Sequence, residues 1–124
     1  MLNKIFLNVI SNILMWIKPN SKRVFIKNLG KNARIFDIGC GNDSAILIKG
    51  ILPKCNYTGI DIDDYNISDA CKSLMDTYVL SKPDEFSDMI GTFKSSFDGV
   101  ISNHNLEHCD EPSKTLDSML LSLK

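Results

Sequence analysis

Several patterns that would assign a function at once are missing from this chain of 124 residues. Its four cysteines show no C-x-x-C spacing, which argues against a zinc ribbon or a redox pair and favours reduced thiols in a cytoplasmic protein. Basic residues number 14 against 15 acidic ones, so no broad electrostatic surface for nucleic acid is expected. No Gly-Lys pair is followed by Ser or Thr, which excludes a P-loop. What remains is one domain of ordinary globular composition.

The most apolar stretch, residues 2–17, is short for a membrane-spanning helix. It would reach roughly 24 Å, whereas the hydrocarbon core of a bilayer is roughly 30 Å thick. Its polar residues gather on one side at helical spacing, and no small-residue cleavage site follows it. We therefore predict an N-terminal amphipathic helix within residues 1–20 that packs on the domain or on a second subunit, rather than on a membrane.

Short apolar runs alternate with helical patterns along residues 21–124. Strands are predicted at 34–38, 57–62, 77–80 and 97–102. Helices are predicted at 22–29, with Ser21 as the N-cap, and at 44–52, 67–75 and 112–124, while 84–93 is either a loop or a short helix. This alternation predicts βαβ units, a parallel sheet and an α/β fold.

A turn containing two glycines stands between the first predicted strand and the next helix. Gly39 and Gly41 follow Asp37 there, and glycines permit a tight bend and close approach of the backbone to a ligand. Asp61 ends the next strand, where a carboxylate can accept hydrogen bonds from both hydroxyls of a ribose. The two features together predict a nucleotide site, although the glycines alone are also compatible with a plain strand-to-helix turn.

Acidic residues around the turn disfavour a ligand that carries phosphate. Asp37 and Asp43 flank the glycines. Ser44 stands where a dinucleotide site has its third glycine, or an alanine. Two like charges about 4 Å apart repel by roughly 1 kcal/mol in water and roughly 4 kcal/mol near a protein surface. A ligand with a sulfonium and an ammonium group suits this turn better.

Three segments carry a specific resemblance: I-F-D-I-G-C-G-N-D at 35–43, Y-T-G-I-D-I-D at 57–63 and F-D-G-V-I-S-N-H-N-L-E-H-C-D-E-P at 97–112. In order and spacing they resemble consecutive motifs of class I S-adenosylmethionine-dependent methyltransferases, most closely the small-molecule and sugar-pathway type. The resemblance covers about residues 22–124 and implies a Rossmann-like sheet with strand order 3-2-1-4.

The resemblance implies that S-adenosylmethionine is the cofactor and that these residues bind it: Asp37, Gly39, Cys40, Gly41, Asp61, Ile62 and Asn103. The backbone of residues 39–41 would approach the methionine part, with Asp37 supporting the loop and Asn103 near the methionine tail. Asp61 would hold the ribose and Ile62 would line the adenine pocket. Asp43 departs from the family pattern, which has a third glycine there. It is expected either to cap the following helix, which we favour, or to crowd the cofactor.

The implied activity is methyl transfer to a small molecule or to a sugar or lipid intermediate. Residues 103–106 have neither the prolines nor the aromatic residue of enzymes that methylate base amino groups, so nucleic acid is not the expected substrate. No catalytic residue is assigned, because methyl transfer to a good nucleophile depends mainly on alignment. Two alternatives stay open: a non-catalytic, truncated module or partner-dependent subunit, and a dinucleotide-dependent oxidoreductase.

Two further expectations concern metals and partners. His104 and His108 are four residues apart, but no second cluster of ligands accompanies them, so no metal site is expected. The family continues beyond its L-K into further strands, whereas this chain ends at Lys124. The fourth strand is therefore predicted to be a sheet edge, which a homodimer or a partner chain would cover.

Overall fold

The computed structural model describes residues 22–103 and 105–124. The strands are β1 (Arg34–Ile38), β2 (Asn56–Asp61), β3 (Thr77–Leu80) and β4 (Gly99–Ser102). The helices are α1 (residues 22–28), α2 (Ser44–Ile51), α3 (Asp69–Leu74), α4 (Phe86–Gly91) and α5 (Pro112–Ser122), with 3₁₀ turns at Pro83–Glu85 and Leu106–His108. The predicted N-terminal helix, the Ser21 cap, His104 and the proposed domain boundary at residues 20 and 21 lie outside the described residues.

All four strands are parallel, and their order β3-β2-β1-β4 confirms the predicted order 3-2-1-4. The register places Asp37 of β1 beside Gly59 of β2 on one side and Ile101 of β4 on the other. The carboxyl ends of these strands therefore meet at one edge of the sheet, where ligands bind in open α/β folds.

Apolar layers cover both faces of the sheet, because successive residues of a strand point to opposite sides. Ile35 of β1 belongs to the layer that α1, α2 and α3 contribute to, and Tyr57 of β2 is buried in the same layer. Phe36 belongs to the layer that α4 and α5 cover, where its ring stacks on Phe97 with 4.4 Å between the centroids. The two layers make the sheet a rigid base for the loops at its carboxyl edge.

The fourth strand begins at Gly99, and the prediction that it begins at residue 97 is wrong. Phe97 instead forms an isolated parallel bridge with Leu123. The Phe97 amide donates to the carbonyl of Ser122 at 3.0 Å, and the Lys124 amide donates to the carbonyl of Phe97 at 3.0 Å. Beyond this bridge, β4 is an edge of the sheet in the part of the chain that the structure describes.

Asp98 links the start of β4 to its surroundings. Its carboxylate accepts a hydrogen bond from the Arg34 amide at 2.8 Å and pairs with Lys124 Nζ at 3.0 Å. These two contacts hold the pKa of Asp98 below its usual range.

Across residues 22–103 and 105–124, no helix has the length and apolar character that crossing a bilayer requires.

Candidate cofactor site

The loop between β1 and α2 has the left-handed backbone that its glycines permit. Gly39 has a φ of 69° and Gly41 a φ of 57°, a region that other residues rarely adopt. The amides of Gly39 and Cys40 both donate to the carbonyl of Ile60, at 2.8 and 3.2 Å. These bonds hold the loop against β2, so its position relative to the sheet is fixed.

Asp37 supports this loop through a buried hydrogen-bond network. Its side chain is 1% exposed, and Oδ2 accepts hydrogen bonds from the Tyr57 hydroxyl at 2.8 Å and from the Ser44 hydroxyl. Lys22 Nζ donates in turn to Ser44 Oγ at 2.6 Å, which connects α1 to the network. Burial raises the pKa of Asp37, although Lys22 and the two hydroxyls oppose that shift.

Asp61 connects the end of β2 to the same loop. Its Oδ2 accepts a hydrogen bond from the Gly41 amide at 2.9 Å, and its Oδ1 accepts one from the Ile62 amide at 2.8 Å. Each carboxylate oxygen has two lone pairs, so both can accept a further hydrogen bond from a ligand. Asp61 is therefore placed to fix the loop and to bind ligand hydroxyls at once.

A cavity of about 930 Å³ lies at the carboxyl ends of β1 and β4. It brings together five of the seven predicted cofactor-binding residues: Asp37, Gly39, Cys40, Gly41 and Asn103. Lys22, Arg23 and Phe25 of α1 close one side of it, while Leu47 of α2 closes another. We refer to this space as the large cavity.

A second space of about 60 Å³, the small cavity, lies beside the ends of β2 and β3. Ile62, the residue predicted to line an adenine pocket, is part of its wall. Asp84, Asn105 and His108 face the same space. The sequence alone does not assign Asp84 a role, because the family resemblance is too loose in the loop after β3. Its position in the 3₁₀ turn that begins three residues after β3 is the signal that could have indicated it.

The structure contradicts the favoured role of Asp43 as a capping residue. Asp43 does occupy the N-cap position of α2, but its side chain makes no capping hydrogen bond. Its φ of -93° is ordinary, so the backbone there does not require the glycine that the family usually has. The Ser44 hydroxyl, which follows directly, is used by Asp37 instead.

Cys40 serves the site by its size rather than by its reactivity. A Cβ atom on Gly59 would lie 2.9 Å from Cys40 Sγ, so the glycine in β2 makes room for this thiol. Burial, with the charges of Asp37 and Asp61 adding to it, raises the pKa of Cys40 to about 12. The thiol is therefore protonated at neutral pH and is not a nucleophile.

No group of His, Cys, Asp and Glu side chains with the arrangement of a metal site occurs among the described residues. His108 lies in the wall of the small cavity, beside Asp110 and Glu111. His104, four residues before it, is not among the residues described.

Comparison with known proteins places the chain in a family. The family described as "Methyltransferase domain" matches residues 16–124 of the chain. A search of curated proteins finds no significant match. Of the solved structures, an arsenic(III) S-adenosylmethionine methyltransferase from Chlamydomonas reinhardtii is 20% identical, with a TM-score of 0.56. The match covers 77% of this chain and 38% of that one.

Two further solved structures show the same fold. A SAM-dependent methyltransferase from Archaeoglobus fulgidus is 19% identical with a TM-score of 0.56, covering 94% of this chain and 48% of that one. The methyltransferase MycE from the mycinamycin biosynthetic pathway, solved with Mg, SAH and mycinamycin VI, is 19% identical with a TM-score of 0.58. That match covers 89% of this chain and 30% of MycE, so the chain spans less than half the length of all three. The chain belongs to the methyltransferase domain family and has the Rossmann-like fold of S-adenosylmethionine-dependent methyltransferases.

Proposed function

We propose that this chain binds S-adenosylmethionine across the two cavities and belongs to an enzyme that transfers the methyl group to a small molecule or to a sugar or lipid intermediate. The observation that carries the proposal is the glycine loop at the carboxyl end of β1. Its two left-handed glycines open onto the large cavity, and its Gly41 amide is bonded to Asp61. When bound, the cofactor supplies a methyl group on a sulfonium, which is activated for transfer to a nucleophile.

The methionine part of the cofactor fits the large cavity because of the charges around it. Asp43 contributes an exposed carboxylate to its wall, and Lys22 and Arg23 contribute cations. A zwitterionic amino acid group offers a cation and an anion to these charges. A pyrophosphate beside the loop would meet the Asp43 carboxylate, and this disfavours the dinucleotide alternative.

The adenosine part fits the region between Asp61 and the small cavity. The free lone pairs of the Asp61 carboxylate are available to both ribose hydroxyls, as in other nucleotide-binding α/β folds. Ile62 offers an apolar surface to the adenine ring, and Asp84 offers an acceptor for its amino group. The chain's own residues thus bind and orient the cofactor, and none of them is assigned to proton transfer.

A small acceptor is proposed because the segment after β4 lacks the large aromatic side chain on which a nucleic-acid base would stack. Asn103 follows β4 in the wall of the large cavity, and no Phe, Tyr or Trp occurs in residues 105–111. Transfer of a labelled methyl group from S-adenosylmethionine can be measured with sugars, lipid precursors and oligonucleotides as acceptors. Labelling of the oligonucleotides alone would contradict this assignment.

The cofactor assignment is tested by calorimetry with S-adenosylhomocysteine and NAD. We expect NAD to bind at least about tenfold more weakly, a difference of about 1.4 kcal/mol. Asp61→Ala should weaken binding of S-adenosylhomocysteine by roughly 1–3 kcal/mol, because the ribose hydroxyls lose their acceptor. Asp117→Ala removes the same charge from the exposed side of α5 and should leave the affinity unchanged. Tighter binding of NAD, or equal effects of the two substitutions, would refute the proposal.

A further inference from the structure

The side chain of Asn105 lies directly on the backbone of Gly39. A Cβ atom on Gly39 would lie 2.5 Å from both Cγ and Oδ1 of Asn105, and 2.9 Å from its Cβ. Contacts this short do not occur between real atoms, so the amide occupies space that exists only because residue 39 is glycine. The loop after β4 is thus packed onto the glycine loop after β1.

Polar contacts hold the main chain of Asn105 more firmly than its side chain. The carbonyl of Asn105 accepts hydrogen bonds from the His108 amide at 3.0 Å and from the Cys109 thiol at 3.3 Å. To the residues that the structure describes, the side-chain amide makes one long polar contact, from Nδ2 to Cys109 Sγ at 3.6 Å. Sulfur is a weak acceptor, so rotation of the amide away from Gly39 breaks little.

This side chain stands at the boundary between the two cavities. Gly39 lines the large cavity, and Asn105 lines the small one together with Ile62. Asp61, the proposed ribose ligand, is bonded on one side to Gly41 and on the other to Ile62. A ligand that reaches from the glycines of the large cavity past Asp61 to Ile62 runs between the walls to which Gly39 and Asn105 contribute.

We propose that Asn105 is a positioning residue that closes the passage between the two cavities in the free chain and rotates off Gly39 when the cofactor binds. The inference rests on the proposed function, because it takes S-adenosylmethionine to be the ligand that spans the passage. The free chain then binds through a minor conformation, and its apparent dissociation constant is raised by the inverse of the population of that conformation. Shortening the side chain removes this penalty.

The first test measures the affinity and the association rate of S-adenosylhomocysteine by calorimetry and stopped flow. Asn105→Ala should bind at least about threefold more tightly than the wild type and associate faster, because the passage is open. Asn105→Ser is measured alongside it, in case the alanine variant melts too low to be assayed. Asn56→Ala, at the opposite end of the sheet, is the control and should leave both quantities unchanged. Unchanged or weaker binding by the variants at position 105 would overturn the proposal.

The second test needs no ligand and separates this inference from the proposed function. Gly39→Ala should lower Tm through its positive φ and through the clash with Asn105. Asn105→Ala removes most of the clash and leaves the effect of φ, so Gly39→Ala should lower Tm less in that background. An equal loss in both backgrounds would show that Asn105 does not rest on Gly39, and the gate would be refuted. A wild type that fails to bind S-adenosylhomocysteine would refute the proposed function, whatever this cycle shows.

Discussion

The hydrogen bond from Tyr57 to Asp37 offers the sharpest test of the network beneath the glycine loop. Tyr57→Phe deletes one hydroxyl and leaves the ring, which is fully buried, in place. Burial beside Asp37 raises the pKa of the Tyr57 phenol far above its ordinary range, so the hydroxyl is a donor at every accessible pH. The substitution therefore leaves the Asp37 carboxylate buried with one donor fewer.

The size of the effect follows from the charge of the acceptor. Hydrogen bonds to charged groups contribute roughly 1.5–3 kcal/mol, against roughly 0.5–1.5 kcal/mol for neutral pairs. For a domain of this length, 1 kcal/mol corresponds to roughly 3–6 °C in Tm, so Tyr57→Phe should lower Tm by roughly 5–18 °C at neutral pH. The loss should be smaller in acid, where Asp37 is protonated.

The sign of this pH dependence can be worked out from the raised pKa of Asp37. A carboxyl whose folded pKa lies above its unfolded value favours folding in acid, and that contribution is lost as the pH rises through the folded pKa. Tyr57→Phe raises the folded pKa further, because it removes a donor to the charged form. The variant should therefore lose more stability than the wild type as the pH rises from the ordinary pKa of an aspartate, 3.8, towards neutrality.

Urea unfolding of the wild type and the variant at about pH 4 and about pH 7.5 measures this difference. Tyr78→Phe is the matched control, since no partner for the buried Tyr78 hydroxyl occurs among the described residues. Its removal should leave stability unchanged or slightly higher, because a buried unpaired hydroxyl is itself unfavourable. Equal losses for the two variants, or a Tyr57→Phe loss that does not depend on pH, would refute the reasoning.

Two further predictions concern the loop and the sheet edge. Asp43→Ala should change the free energy of unfolding by no more than a few tenths of a kcal/mol, since no capping bond is lost; a loss of about 1 kcal/mol would restore the capping role. The chain should self-associate or require a partner, because among residues 22–103 and 105–124 no strand pairs with the outer side of β4, and Gly99–Ser102 contains no Lys or Pro. Light scattering that finds only a monomer at every concentration would contradict this.

The parts of the fold that the sequence predicted are those set by local burial. The bounds of β1 and β3 agree with prediction, because each strand is a short apolar or β-branched run that ends at polar residues or at a glycine. The strand order was available from the family resemblance. The start of β4 could not be predicted from the sequence. Phe97 has the apolar character of a strand residue, but it bridges to Leu123, which comes much later in the chain.

The candidate site likewise contains residues that could be predicted from the sequence and residues that could not. Gly39 and Gly41 could be predicted because a left-handed backbone selects for glycine, and Asp61 because its strand delivers it to the carboxyl edge. The roles of Asp43 and Asn105 depend on how one loop lies against its neighbours. The Ser44 hydroxyl donates to the Asp37 carboxylate, which lies seven residues earlier in the chain. No local sequence pattern indicates this hydrogen bond.

Asn105 shows why the order of the strands does not determine which side chains touch in the loops at their ends. β1 and β4 are adjacent in the sheet, so their loops must meet, and the sequence is sufficient to predict that meeting. Which side chain then fills the space above Gly39 depends on the 3₁₀ turn at Leu106–His108, whose amide at His108 holds the main chain of Asn105. The turn thus sets which polar side chain lies against Gly39. It is therefore at such loop crossings that members of one fold family can differ in how easily they admit the same ligand.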